Sequence, residues 1–211
     1  MKKFELTSEF VVNVFGNKLF RVRALVAFGS VRAGEQGGYV EKEENLSQTG
    51  NAWVSGNAQV CDNARVSGNA QVCGDARVSG TARVSGDAWV SGNAWVSGNA
   101  RVYGKAEVSC DAEVYGDAEV YGDAQVSGDA QVSCDARVCG DADYATVKGF
   151  GRINRNTTFF RCKGGKVRIV CGCFFGDLEE FRAIVKRTHG DGRMAKEYLA
   201  IADLMETHFK G

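Results

Sequence analysis

From Gly50 to Ala145 the chain repeats a six-residue unit sixteen times, beginning GNAWVS, GNAQVC, DNARVS and ending CDARVC, GDADYA. So short a period leaves few folds open, because each unit has room for only one brief strand and one bend. The third position is Ala in all sixteen units, from Ala52 to Ala142. The fifth is Val in fifteen, from Val54 to Val138, with Tyr144 closing the series. Residues two apart on an extended chain point to the same side. Ala and Val therefore face one core, and the residue between them faces outward. That residue varies: Trp53, Gln59, Arg65, Gln71, Arg77. The first position is Gly in thirteen units, with Asp62, Cys110 and Cys134 as exceptions, and the second is Asn or Asp in fourteen, with Thr81 and Lys105 as exceptions. Gly followed by Asn or Asp is bend chemistry, since these residues tolerate positive φ. Three bends of about 120° close a triangular coil, and stacking at about 4.8 Å makes a prism roughly 25 Å long. An antiparallel meander would need longer strands.

The array resembles the left-handed parallel β-helix of the hexapeptide-repeat proteins. The hand is implied by that resemblance alone, because the general crossover rule favours the opposite one. The segment ahead of the array is similar to the lead-in of YdcK-type hexapeptide-repeat proteins. The shared residues are Arg23, Ala24, Leu25, Phe28, Gly29, Val31, Gly34, Gly37, Gly38, Tyr39, Val40, Glu41, Leu46 and Ser47. That family is bacterial, is also found on phages and is often labelled polymer-forming; the resemblance implies no activity.

The expected fold is mainly β. Residues 1–49 form an N-terminal hairpin about Gly16-Asn17 with irregular capping coils, residues 50–145 form the β-helix, and residues 146–211 form a small ββαα domain. In the last, TTFFRC and KVRIVCGCFFG flank Lys163-Gly164-Gly165-Lys166 as a hairpin. Asp177 to Glu180 has capping-box character. The helix after it presents Leu178, Phe181, Ile184 and Val185, and a second helix over about 193–209 presents Met194, Tyr198, Ile201, Met205 and Phe209. The open ends of a prism are unpaired strand edges, and these two segments are expected to cover them.

No run of apolar residues is long enough to span a membrane. The opening MKKFELTSEFVVNVF is broken by Glu5, Ser8, Glu9 and Asn13, so no signal-peptide stretch is read there. The expected compartment is the cytoplasm, and the eight cysteines are expected as thiols. A prism lined by Ala and Val has no room for a ligand. Function is therefore expected on the outer faces, corners and ends, with no small-molecule substrate and no cofactor.

Hexapeptide acyltransferases use a coil histidine as general base, and the related carbonic anhydrases use three histidines on zinc. The only histidines here are His189 and His208, outside the array. An acyltransferase-type enzyme is thus an alternative without its base. Cys162, Cys171 and Cys173 are expected on one face of the hairpin, as small buried hydrophobes in preference to metal ligands. Cys61, Cys73, Cys110, Cys134 and Cys139 read as neutral variation.

The zero net charge of the chain conceals a separation. Residues 106–145 carry a net of −9, residues 146–211 a net of +6 and residues 50–105 a net of +2. Units three apart share a face, so Arg65, Arg83, Arg101 and Glu119 form one ladder, and Asp117 with Asp135 and Asp123 with Asp141 stack along corners. Such carboxylate pairs repel by roughly 0.8 kcal/mol each before screening. The acidic half reads first as a solvated face, then as a surface for a cationic partner, then as a mimic of a nucleic-acid phosphate track. Trp53, Trp89 and Trp95 are expected to point outward, with Arg65, Arg83 and Arg101, as interface composition. Together with Asp117, Glu119, Asp123, Asp135 and Asp141 they are the candidate partner-binding residues. The partner is a protein or another copy of the chain, for which a homotrimer is one arrangement. Nucleic acid is a weaker candidate, through Arg152, Arg155, Arg161, Lys163, Lys166 and Arg168 around Phe159 and Phe160.

Overall fold

The computed structural model describes residues 2–151 and 155–210, apart from the side chains of Asp141 and Arg155. Each unit of the array makes a two-residue strand, and strands one coil apart pair in parallel. Trp89 lies between Gln71 and Glu107, Trp95 between Arg77 and Glu113, and Arg101 between Arg83 and Glu119. The result is a parallel β-solenoid with three sheets as its faces. Every repeat Ala from Ala52 to Ala136 and every repeat Val from Val54 to Val138 is at most 1% exposed. These side chains form one continuous core that also takes in both ends of the molecule.

The bends belong to the first position, which is left-handed from Gly50 through Cys134. Asp62, Cys110 and Cys134 adopt this conformation at φ near 60° despite carrying a Cβ. The second-position Asn and Asp share the turn, as expected, but not its left-handed conformation. Their side chains run along the corners. Asn57 Nδ2 donates to Asp75 Oδ1 (3.1 Å), Asn69 Nδ2 to Asp87 Oδ1 (2.9 Å) and Asn93 Nδ2 to Asp111 Oδ1 (2.9 Å). An amide above a carboxylate joins successive coils at these corners, and Thr81 makes the equivalent bond by donating from Oγ1 to Asn99 Oδ1.

At the N-terminal end, β1 (Phe4–Val12) and β2 (Lys18–Ala24) form the hairpin. A third strand, β3 (Gln36–Val40), is antiparallel to β2 and parallel to Gln59–Val60, so the hairpin extends one face of the prism. Val40 pairs with Val60 and Leu46 with Val66, which makes the first coil two residues longer than those that follow. Fully buried Phe4 closes the top of the core. Gln48 holds it, accepting at Oε1 from Lys3 N (2.8 Å) and donating from Nε2 to Phe4 O (3.2 Å).

Lys3 turns inward and donates from Nζ to Ala52 O at 2.9 Å. Burial lowers its pKa from 10.5 to about 8. Between these values the folded chain has released a proton that the unfolded chain still holds, so stability rises with pH. Burial, reinforced by neighbouring carboxylates, raises Cys61 and Cys162 from 9.0 to about 12, which has the opposite effect from pH 9 upward. The urea midpoint is therefore expected to climb from pH 7.5 to about 9 and then turn over. In Lys3→Met the climb should vanish and only the alkaline decline remain.

The C-terminal domain elaborates the expected hairpin. Arg155–Arg161 and Val167–Cys171 are the central pair of a four-stranded antiparallel sheet, flanked by Tyr144–Phe150 and Phe174–Gly176. Helices α1 (Leu178–His189) and α2 (Arg193–Phe209) cover one face. The reciprocal Asp177–Glu180 capping box opens α1. Phe159, Ile169 and Cys171 pack toward the helices, with Phe181, Tyr198, Ile201 and Met205. Phe160, Val170 and Cys162 face the other way and join the core of the prism. Cys162 and Cys171 thus lie on opposite faces, not on one, because alternate residues of a strand project oppositely. Cys173 is exposed beyond the strand.

Candidate functional site

The outward ladder Arg65, Arg83, Arg101, Glu119, Arg137 is in register on one face. The first three guanidinium groups are exposed and one coil apart. Arg101 approaches Glu119 at 3.9 Å. Asp117, Asp123 and Asp135 are exposed on the flanking corners. Asp117 Oδ1 accepts from Asn99 Nδ2 (2.8 Å), and Lys105 lies 3.9 Å from Asp123. Asp129, on the third corner, pairs with Lys148. Part of the expected carboxylate repulsion is thus offset by donors from the coil above or from the C-terminal domain. Asp141 is a candidate whose side chain lies outside those described.

Two aromatic side chains border this face without having been read as candidates. Tyr103 and Tyr121 occupy the position that is usually Ser, and their rings stack 5.1 Å apart. Tyr103 Oη donates to Glu119 Oε2 (3.3 Å), and its pKa is raised by burial and then by that carboxylate. The replacement of Ser by Tyr at matching positions of adjacent coils was a signal available in the sequence.

The tryptophans divide. Trp89 and Trp95 are 49% and 37% exposed on adjacent faces, and Trp95 Nε1 donates to Ser79 Oγ (3.2 Å). Trp53 is only 2% exposed, which corrects its expected role as a partner-binding residue. It does leave its strand on the outward side, but the lead-in segment covers it. Phe28 meets its ring edge-on at 5.4 Å, and Gly37 leaves room for its indole. The indole Nε1 has no hydrogen-bond acceptor among the described residues.

A second feature lies on the face that bears Gln59, Arg77 and Trp95. The tip of the β1–β2 hairpin stands beside this face and encloses a groove of about 260 Å³, with Val12, Val14 and Phe15 on one wall and Arg77, Ser79 and Trp95 on the other. Cys61 is buried beneath the hairpin with Leu19 and Tyr39, so it is a packing residue and not neutral variation.

Among the described residues, Glu41, Cys61 and Asp62 are the one group of three that could hold a metal. Its members serve the corner instead. Glu41 accepts from the Asp62 amide, Asp62 Oδ2 accepts from Gly80 N (2.8 Å), and the Cys61 thiol is pushed up to about 12. His189 stacks on Tyr198 and His208 meets Phe209, both within the C-terminal domain. Phe159 and Phe160 are fully buried and do not offer stacking surfaces, Arg161 pairs with Asp143, and Arg168 lies near Asp177 and Glu180. Arg152 and the side chain of Arg155 lie outside the described residues. No described helix is long and apolar enough to cross a membrane.

Residues 58–74, 70–82 and 82–98 each match the model of the YdcK β-solenoid repeat. No curated protein matches the chain. The matched units are continuous in geometry and core with the coils before and after them. The chain is a β-solenoid protein that carries YdcK-type repeats over residues 58–98.

Proposed function

We propose that the protein is a non-enzymatic scaffold that binds another protein through its outer surface. The observation that carries this reading is the distribution of chemistry. The interior is filled by aliphatic side chains, whereas one exterior face presents Arg65, Arg83 and Arg101 and then Glu119, flanked by the exposed corner acids Asp117, Asp123 and Asp135. A rigid stack holds these charges in fixed register, and complementary charge patterns steer association and choose partners. The location of both histidines in the C-terminal domain, away from the coils, supports a role without catalysis. In its most specific form the proposal is a cytoplasmic accessory protein of a phage, acting on a host factor, with the acidic half standing in for a nucleic-acid phosphate track.

The test is affinity capture from a bacterial lysate with the intact chain and with Asp117, Asp123, Asp135 and Asp141 all changed to Asn. Asn keeps the corner ladders while removing the charge. The intact chain is expected to hold a discrete partner that raised salt releases, and the neutralised chain to hold about tenfold less or worse. Equal recovery sinks the acidic-surface form of the proposal. Exposed Trp89 and Trp95 favour self-association as a second reading. Sedimentation decides it: Trp89→Gln with Trp95→Gln dissociates a self-assembled species and leaves a monomeric scaffold unchanged. A measurable affinity for acetyl-CoA would restore the acyltransferase alternative.

A further inference from the structure

We infer that the groove between the hairpin tip and Trp95 is a docking site for a partner polypeptide that presents a large apolar side chain next to a carboxylate. The inference rests on the protein-binding reading but uses residues other than those of the arginine ladder and the acidic corners, on a different face.

Three observations carry it. The first is the concentration of apolar surface. Val14 and Phe15 are 78% and 69% exposed, and Val12 and Trp95, also exposed, line the groove with them. Isolated apolar side chains on a surface need no explanation, but a contiguous group rimmed by polar residues marks an interaction site.

The second is that the tip is held in place and not merely displayed. Asn13 Oδ1 accepts from Phe15 N (3.0 Å) and Asn17 N (2.9 Å), fixing the turn, while Leu19 packs on Cys61 of the solenoid wall. On the opposite wall Trp95 is oriented by its bond to Ser79. Both walls are therefore set before a ligand arrives, which reduces the ordering cost of binding. The volume of about 260 Å³ suits a single large side chain and is too small for a helix.

The third is charge. Arg77 is exposed in the wall, directly beside Trp95 in the parallel ladder. It has no ion-pair partner among the described residues, and no acidic side chain lines the groove. An apolar slot with one unneutralised guanidinium complements an apolar group carrying a carboxylate, which Arg can hold by two parallel hydrogen bonds.

The experiment uses the full chain and a fluorescein-labelled Gly/Ser peptide with a central Asp-Phe-Asp, read by fluorescence anisotropy. Saturable binding in the millimolar range or tighter is expected. Peptides with Asn-Phe-Asn or Asp-Ala-Asp at the centre should bind about tenfold more weakly or worse. Arg77→Gln should erase the preference for Asp over Asn, and Phe15→Ser should weaken both peptides. Val14→Ser is a second variant at a position too exposed to support the core. Unchanged thermal unfolding of both hairpin variants would attribute their loss to the groove. The inference is overturned if the Asp-Phe-Asp peptide does not saturate, if Arg77→Gln keeps the preference, or if neither hairpin variant matters. It is also overturned if the free chain is an oligomer that Phe15→Ser dissociates, since a second copy would then fill the groove. The fourfold Asp-to-Asn chain should bind the peptide normally. Its failure in lysate capture would leave this site standing, and failure of the peptide would leave the charged-face reading standing.

Discussion

Phe160→Ala is expected to destabilise the chain by about 3–5 kcal/mol, the cost of emptying a fully buried aromatic site. Phe160 is 0% exposed and sits with Cys162 and Val170 at the C-terminal end of the solenoid core. Its strand covers the last coil, where Thr158 Oγ1 accepts from Gln131 N (3.0 Å) and Cys162 bridges Ala136. In a stack each coil is stabilised by its neighbours, so a weakened cap frays the nearest coils first. Hydrogen exchange should show this polarity. The amides of Val132 and Val138 should lose protection, while those of Trp53 and Ser55, bonded to Ala70 O and Val72 O, keep theirs. Uniform loss of protection along the prism would show that the C-terminal sheet is not a local cap. Phe159→Ala should cost a similar amount but loosen α1 and α2, because that ring faces Phe181 at 6.1 Å on the helical side.

At the other end, Gly37→Ala is expected to cost about 3 kcal/mol, the upper range for forced overpacking. A Cβ at Gly37 would lie 2.5 Å from Val22 Cγ2, 2.5 Å from Val54 O and 2.7 Å from Trp53 Cζ2. One of these is backbone and another is a ring held by Phe28, so neither gives way cheaply. Relief requires β3 to move off the first coil, which exposes Trp53 to solvent. Intrinsic fluorescence should shift to the red as the urea midpoint falls. Gly140→Ala is the control. Gly140 is extended, at φ −155°, with nothing within 4 Å of the added carbon, so the change should stay within about 0.5 kcal/mol. An unaltered midpoint in Gly37→Ala would contradict the close packing of the lead-in segment on the solenoid.

Trp53 shows where reading residues in order fails. Its unit, GNAWVS, recurs as GNAWVS at Trp95 and as GDAWVS at Trp89, and in all three the indole leaves on the outward side. Only Trp53 is covered, by Phe28 and β3 folding back over the first coil. Cys61 is similar: it replaces a Ser of the repeat, yet it anchors the hairpin. The three C-terminal cysteines were expected on one face, whereas the register of the sheet sends Cys162 to the prism and Cys171 to the helices. The groove at Phe15, Arg77 and Trp95 joins positions eighty residues apart in the chain. None of the three marks it alone.

What the sequence determined by itself is the solenoid. An Ala and a Val two apart in nearly every unit, with a left-handed bend between units, specify strand, turn and core from contacts repeated at a fixed spacing. The helices α1 and α2 were legible for the same reason, since the α1 capping box and the apolar stripes of both are local. Tertiary structure decided which outward residues meet solvent. That depends on how the hairpin and the C-terminal sheet fold back upon the prism, through contacts at separations no periodic pattern encodes. Exposure is a property of those remote contacts, and so the pattern of exposed side chains became visible only with both ends in place.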